Sequence, residues 1–119
     1  MTGRTRKIGS EGEDAACGMI ESRGFRIIER NYRFGRSGEI DIIAQKDRLL
    51  VFVEVKTRSF SHYGGPLYAI SPRKKRTLKL VAQHYLCSHP ELYSADIECR
   101  FDMISILDGR AEWIDDIFR

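Results

Sequence analysis

The elements readable in this sequence run in the order αβββαββ, which predicts an α/β domain with one mixed sheet and helices packed on it. Three observations carry that prediction. Two helix starts are signalled: Ser10-Glu11-Gly12-Glu13 has the Ser-x-x-Glu form of a capping box, and Ser71-Pro72 pairs an N-cap serine with a first-turn proline. Leu49 to Lys56 is a long apolar run of the kind a central strand shows when both its faces are covered. Asp108-Gly109 is a strong two-residue hairpin signal between two strand-forming stretches.

In chain order, Met1 to Lys7 is polar and expected to be frayed. The first helix is expected from Ser10, with Ala16, Met19, Ile20 and Arg23 at helical spacing and Gly24 as its stop. Phe25 to Arg30 is rich in strand formers, and Arg36-Ser37-Gly38 reads as a turn. Glu39 to Ala44 is a short strand, Gln45 to Arg48 a polar turn, and Leu49 to Lys56 the third strand. Thr57 to Ile70 contains Gly64-Gly65-Pro66 and reads as a loop. The second helix has Leu78, Val81, Ala82, Tyr85 and Leu86 as its apolar stripe and ends before Pro90. Asp96 to Ile106 and Arg110 to about Ile114 are the last two strands.

The chain of 119 residues, 42% hydrophobic and 31% charged, is expected to form a single domain over 1–119. It shows no apolar run of the roughly 20 residues a membrane helix needs, and no secretory signal, so no membrane partner is expected. Cys17, Cys87 and Cys99 are too scattered for a disulfide framework and read as reduced thiols of a cytoplasmic protein. Cys17 and Cys87 fall on or near helix stripes and are expected as small core residues. His62, His84 and His89 have no metal-ligand spacing. The net charge of +3 neither requires nor excludes nucleic acid, so the placement of the charges decides.

Two strands put carboxylates where a core is expected. Leu49, Val51, Val53 and Val55 share one face of their strand; Leu50, Phe52, Glu54 and Lys56 share the other. On the preceding strand, Glu39 and Asp41 share a face opposite Ile40 and Ile42. A hairpin loop of two residues, Lys46-Asp47 or Asp47-Arg48, puts Asp41 on the face of Glu54 and Lys56; an odd loop without a bulge sends it to the other. The even register is the expectation. Two adjacent carboxylates repel unless a cation joins them, and oxygen donors suit a hard ion such as Mg²⁺ or Mn²⁺. Such an ion polarises a phosphoryl oxygen, and a neighbouring lysine orients water and offsets developing charge. Asp41, Glu54 and Lys56 are thus sufficient for metal-assisted phosphodiester hydrolysis. Glu54 with Lys56 alone would be an ordinary salt bridge at a strand end.

Arg73, Lys74, Lys75, Arg76 and Lys79 crowd the start of the second helix, against its dipole and against one another. A phosphate backbone relieves both repulsions, although a solvated face is the alternative. Arg58, Phe60, His62 and Tyr63 lie in the expected loop after the Glu54 strand, and Arg58 and Tyr63 are candidate contacts to phosphate and base. Glu13 fits the capping box, yet shares a helical face with Ala16, Cys17 and Ile20. Asp102, between Phe101 and Met103, is expected to be a structural hydrogen-bonding residue.

Gly38-Glu39-Ile40-Asp41-Ile42-Ile43-Ala44 followed by Val51-Phe52-Val53-Glu54-Val55-Lys56-Thr57-Arg58 resembles the YraN-like family of small uncharacterised bacterial proteins. That family is similar to restriction-endonuclease-like nucleases, in particular the archaeal Holliday junction resolvases. The resemblance extends upstream to Gly12-Glu13, Ala16 and Asn31, and downstream to Lys75, Ala82, Tyr85-Leu86 and Arg100-Phe101-Asp102. The superfamily's proline before the aspartate is replaced by Ile40. The resemblance implies a restriction-endonuclease-like mixed sheet flanked by helices and a Mg²⁺-dependent nuclease acting on DNA, branched DNA included. It implies Asp41 and Glu54 as metal ligands, Lys56 as water-orienting base or stabiliser, and Glu13 as a further ligand or metal-water partner. By the same resemblance a homodimer is the assembly suited to a junction. The competing expectation is a catalytically silent nucleic-acid-binding or adaptor protein with the same fold.

Overall fold

The computed structural model describes residues 3–58 and 70–119. Helix α1 spans Gly3–Ser22, β1 Arg26–Phe34, β2 Gly38–Lys46, β3 Leu49–Arg58, α2 Pro72–Cys87, β4 Glu98–Leu107 and β5 Arg110–Ile114, with a short 3-10 helix at Pro90–Ala95. The five strands form one sheet in the order β1-β2-β3-β4-β5. Neighbours are antiparallel except β3 and β4, which are parallel, so the connection between them must cross over and carries α2. The fold is therefore the expected mixed α/β arrangement in the order αβββαββ, compatible with a nuclease-like fold. None of its described helices is long and apolar enough to cross a membrane.

One helix covers each face. Ala16, Cys17 and Ile20 of α1 pack on Ile42, Ala44, Val51, Val53, Ile104 and Ile106. Leu78, Val81, Ala82 and Tyr85 of α2 pack on Ile40, Ile43, Leu50 and Phe52. The two faces of β3 separate as its alternation predicts, and covering both is why its run is apolar throughout. Phe118 closes the α2 side: Ile117 N–H donates to Phe101 O at 2.8 Å, folding the C-terminal residues back over β4.

Several boundaries differ from the sequence reading. Helix α1 starts at Gly3 rather than Ser10, so residues 3–7 are helical and Ser10–Glu13 lies inside the helix. Arg4, Arg6 and Lys7 are unbranched helix formers with no proline among them, and they extend the helix past the cap signal. Strand β3 runs on to Arg58 because its parallel pairing with β4 continues to Arg58↔Leu107. Arg58 is thus a half-buried strand residue and not part of a loop. Cys87 is exposed at the end of α2, while Cys17 is buried as expected. Asp108 and Gly109 both take positive φ, 48° and 82°, as the hairpin signal requires.

Strand β2 departs from simple alternation. Ile40 packs on the α2 side and Ile42 on the α1 side, although two residues apart should share a face. The break falls at Asp41. Opposite it on β1, Asn31 has φ 55°, and the β1–β2 pairing passes from Arg30↔Ile42 to Tyr32↔Ile40. The alternation of β2 breaks at the position of the first candidate ligand.

Candidate metal centre

The β2–β3 hairpin turns through Asp47-Arg48, between the pairs Lys46↔Leu49 and Ile42↔Val53. This is the even register, and the next positions out along it are Asp41 and Glu54. The ladder stops at Ile42, and Asp41 Oδ2 accepts the Val55 N–H at 2.8 Å. That bond anchors the Asp41 carboxyl within hydrogen-bonding reach of Glu54. Burial pushes the Asp41 carboxyl up, the hydrogen bond and charge of Glu54 push it further, and it reaches about 8 despite the opposing Val55 amide. The Glu13 charge adds a smaller upward push.

Glu54 faces α2, with its side chain 16% exposed. Lys74 Nζ lies 3.0 Å from Glu54 Oε2. The approach is not aligned as a hydrogen bond, and Oε2 is buried with no aligned donor among the described residues. Glu54, Lys56, Thr57, Ser71, Lys74 and Met103 line a cleft of about 680 Å³ at the C-terminal ends of β3 and β4. Lys56 is exposed there and stands beside Ser105 in the β3–β4 register. Ser105 is buried, and its Oγ has no hydrogen-bond partner among the described residues.

Glu13 is turned to other partners. Its Oε1 accepts from Asn31 Nδ2 at 3.1 Å and lies 3.5 Å from Arg30. Asn31 is a contact the residue pattern alone did not assign; its one visible signal is its residue type, since asparagine tolerates the left-handed backbone found there. Gly12 lets α1 approach this end of the sheet, because a Cβ on it would run into Thr57 Oγ1.

The basic run of α2 divides three ways. Lys74 turns to Glu54. Lys75 and Lys79 lie over the Phe118 ring at 5.9 Å and 5.7 Å, and Lys79 Nζ also donates to Arg119 O at 2.8 Å. Arg73 and Arg76 are exposed on the helix. The hairpin tip with Arg36 adjoins them, since Gly38 packs directly on Thr77. Arg58 sits at the end of β3, its carbonyl accepting the Asp108 N–H at 3.2 Å. Tyr63 lies outside the described residues. Asp102 is fully buried and bonded to Arg100, Trp113 Nε1 and the Asp116 N–H, a structural role as its neighbours suggested.

The donors fit a hard divalent ion. Asp41 and Glu54 are adjacent, both offer carboxyl oxygens, and Glu54 Oε2 has no aligned hydrogen-bond donor among the described residues. Mg²⁺ is commonly held by one or two carboxylates, with water and substrate oxygens completing its shell. No group of three His, Cys, Asp or Glu side chains gathers as a metal cage among the described residues. A third protein ligand is not needed for that mode of binding.

The family model described as uncharacterised protein family UPF0102 matches residues 12–106, a span that includes Glu13, Asp41, Glu54, Lys56 and Lys74. A UPF0102 protein of Prosthecochloris aestuarii is 47% identical over 100 residues, covering 84% of this chain and 76% of its own. One of Dechloromonas aromatica is 44% identical over 114 residues, covering 96% and 90%. One of Symbiobacterium thermophilum is 47% identical over 105 residues, covering 88% and 86%. With most of its length matched and its central motif inside the match, the chain belongs to the uncharacterised YraN-like family UPF0102.

Proposed function

We propose that this protein is a Mg²⁺- or Mn²⁺-dependent endonuclease that hydrolyses phosphodiester bonds in DNA, branched DNA included. One observation carries the reading: the Asp41 carboxyl lies beside Glu54, and Glu54 lines a cleft together with Lys56. Two carboxyl groups buried side by side are costly, since one must keep its proton unless a cation joins them, and a structural role alone does not call for them. Asp41 and Glu54 would hold a divalent ion there, which would supply polarisation of the phosphoryl oxygen and a lowered pKa for the attacking water. Lys56, exposed on the same strand, orients the water and offsets charge developing on the phosphate. Arg73 and Arg76, with Arg36 at the adjoining hairpin tip, offer a phosphate-binding surface beside the cleft.

The test is cleavage of fluorescent linear, flapped and four-way DNA by the purified full chain, with Mg²⁺, Mn²⁺ or EDTA. Metal-dependent products that disappear in Lys56→Ala support the enzyme. Binding without cleavage, unchanged in Glu54→Gln, supports the adaptor instead. Parallel RNA substrates separate the two nucleic acids, and light scattering reports whether a dimer forms on the junction.

A further inference from the structure

We propose that Lys74 is the resident counter-ion of Glu54 and occupies the place at Oε2 that a divalent cation takes up, so that the two exclude one another. The inference rests on the metal-site reading above and identifies the charge that balances the site before metal arrives.

The placement of Lys74 calls for an explanation. It stands in the first turn of α2, at the positive end of the helix dipole, flanked by Arg73, Lys75 and Arg76. Each of these disfavours an ammonium there. The neighbouring lysines turn away, Lys75 and Lys79 towards the Phe118 ring. Lys74 alone of this run is paired with a carboxylate side chain among the described residues, 3.0 Å from an oxygen that has no aligned donor. Contact with Glu54 is therefore what offsets the repulsion in the helix.

The pairing is also suited to exchange. Charge holds it, without hydrogen-bond alignment, and the Lys74 side chain is 44% exposed, so it can leave through the cleft that it lines. The divalent ion competes with a single positive charge for the same oxygen. Once displaced, Lys74 stays in the cleft beside Lys56 with no carboxylate to neutralise it. The cleft then attracts phosphate more strongly when metal is bound than when it is not.

The experiment is calorimetric titration of the metal-free full chain with Mn²⁺ at low salt, without nucleic acid. Lys74→Gln is expected to bind Mn²⁺ roughly three- to tenfold more tightly than wild type, the worth of an ion pair with one half-exposed partner. Lys75→Gln removes the same charge one residue away and is expected to change the affinity by less than about twofold, because Lys75 is turned to the Phe118 ring and solvent screens its more distant charge. Equal affinity in wild type and Lys74→Gln, or weaker binding by the variant, overturns the counter-ion role and leaves the metal site standing. Equal tightening in both variants reduces the effect to overall charge and overturns it too. No binding by wild type or by Lys74→Gln overturns both this inference and the metal site. Melts in EDTA establish that each variant folds. Lys74→Met keeps the stem and gives the same readout if the glutamine does not fold.

Discussion

The Val55 amide donates to Asp41 Oδ2 at 2.8 Å, so a side chain of β2 takes a bond that ladder pairing to β3 would otherwise supply. One bond thereby ends the hairpin and fixes a carboxyl next to Glu54.

That carboxyl makes metal-free stability depend on pH. Asp41 is raised to about 8 in the folded protein, against about 4 in an unfolded chain. Between those values the folded state keeps a proton that the unfolded state releases, so stability falls as pH rises. The stabilisation is fully present below about pH 4 and is lost as pH passes about 8. Melting temperatures in EDTA should fall across this window in wild type. Asp41→Asn, which still accepts from Val55 and cannot ionise, should flatten the fall. Parallel slopes for the two proteins would refute the assignment.

Glu54 and Lys56 should separate binding from chemistry. Glu54→Gln should lose Mn²⁺ binding and cleavage together. Lys56→Ala should keep Mn²⁺ affinity and lose about 10²- to 10⁴-fold in single-turnover cleavage rate. Loss of metal binding in Lys56→Ala would assign the lysine to structure instead.

The arginines and lysines of α2 should behave differently. Arg73→Ala with Arg76→Ala should weaken DNA binding and lower the steepness of its salt dependence by about 2 in log–log slope. Lys75→Ala with Lys79→Ala uncovers Phe118 and should lower the melting temperature while leaving that slope nearly unchanged. Fluorescence anisotropy at several salt concentrations measures both.

Asp102→Ala should destabilise by about 3–5 kcal/mol in denaturant unfolding, because it leaves the Arg100 guanidinium, the Trp113 N–H and the Asp116 N–H without their shared acceptor. An effect below about 1 kcal/mol, the range of an exposed pair, would contradict its structural role.

Gly38 has φ 149°, and a Cβ on it would collide with Thr77 Cγ2. Gly38→Ala should cost about 1–3 kcal/mol and loosen the β1–β2 hairpin from α2. Hydrogen exchange at Phe34 and Gly38 reports the loosening.

Much of this was legible in the residue pattern. Strand β3 could be read because its alternation and apolar length agree, and of the two loop parities the sequence allowed, the expected even one is the one found. The extent of α1 was not legible: Ser10–Glu13 satisfies a cap pattern, while the helix-forming residues before it extend the helix. The break in alternation at Asp41 was hidden because it stands opposite Asn31, a residue of another strand in the left-handed region. The role of Lys74 was equally hidden. A run of adjacent cations looks uniform along the chain, but helical spacing turns Lys74 to Glu54, Lys75 and Lys79 to Phe118, and Arg73 and Arg76 to solvent.

The parallel pairing of β3 with β4 also sets an order of assembly. Asp41 and Glu54 are joined by a hairpin whose loop is Asp47-Arg48, so their contact is local. Lys74 reaches Glu54 only when the long crossover to β4 has packed α2 on the sheet. During synthesis both acids leave the ribosome before the lysine that pairs with Glu54. Until then Glu54 lacks its counter-ion, and packing of α2 gains an electrostatic contribution on top of burial of its apolar stripe.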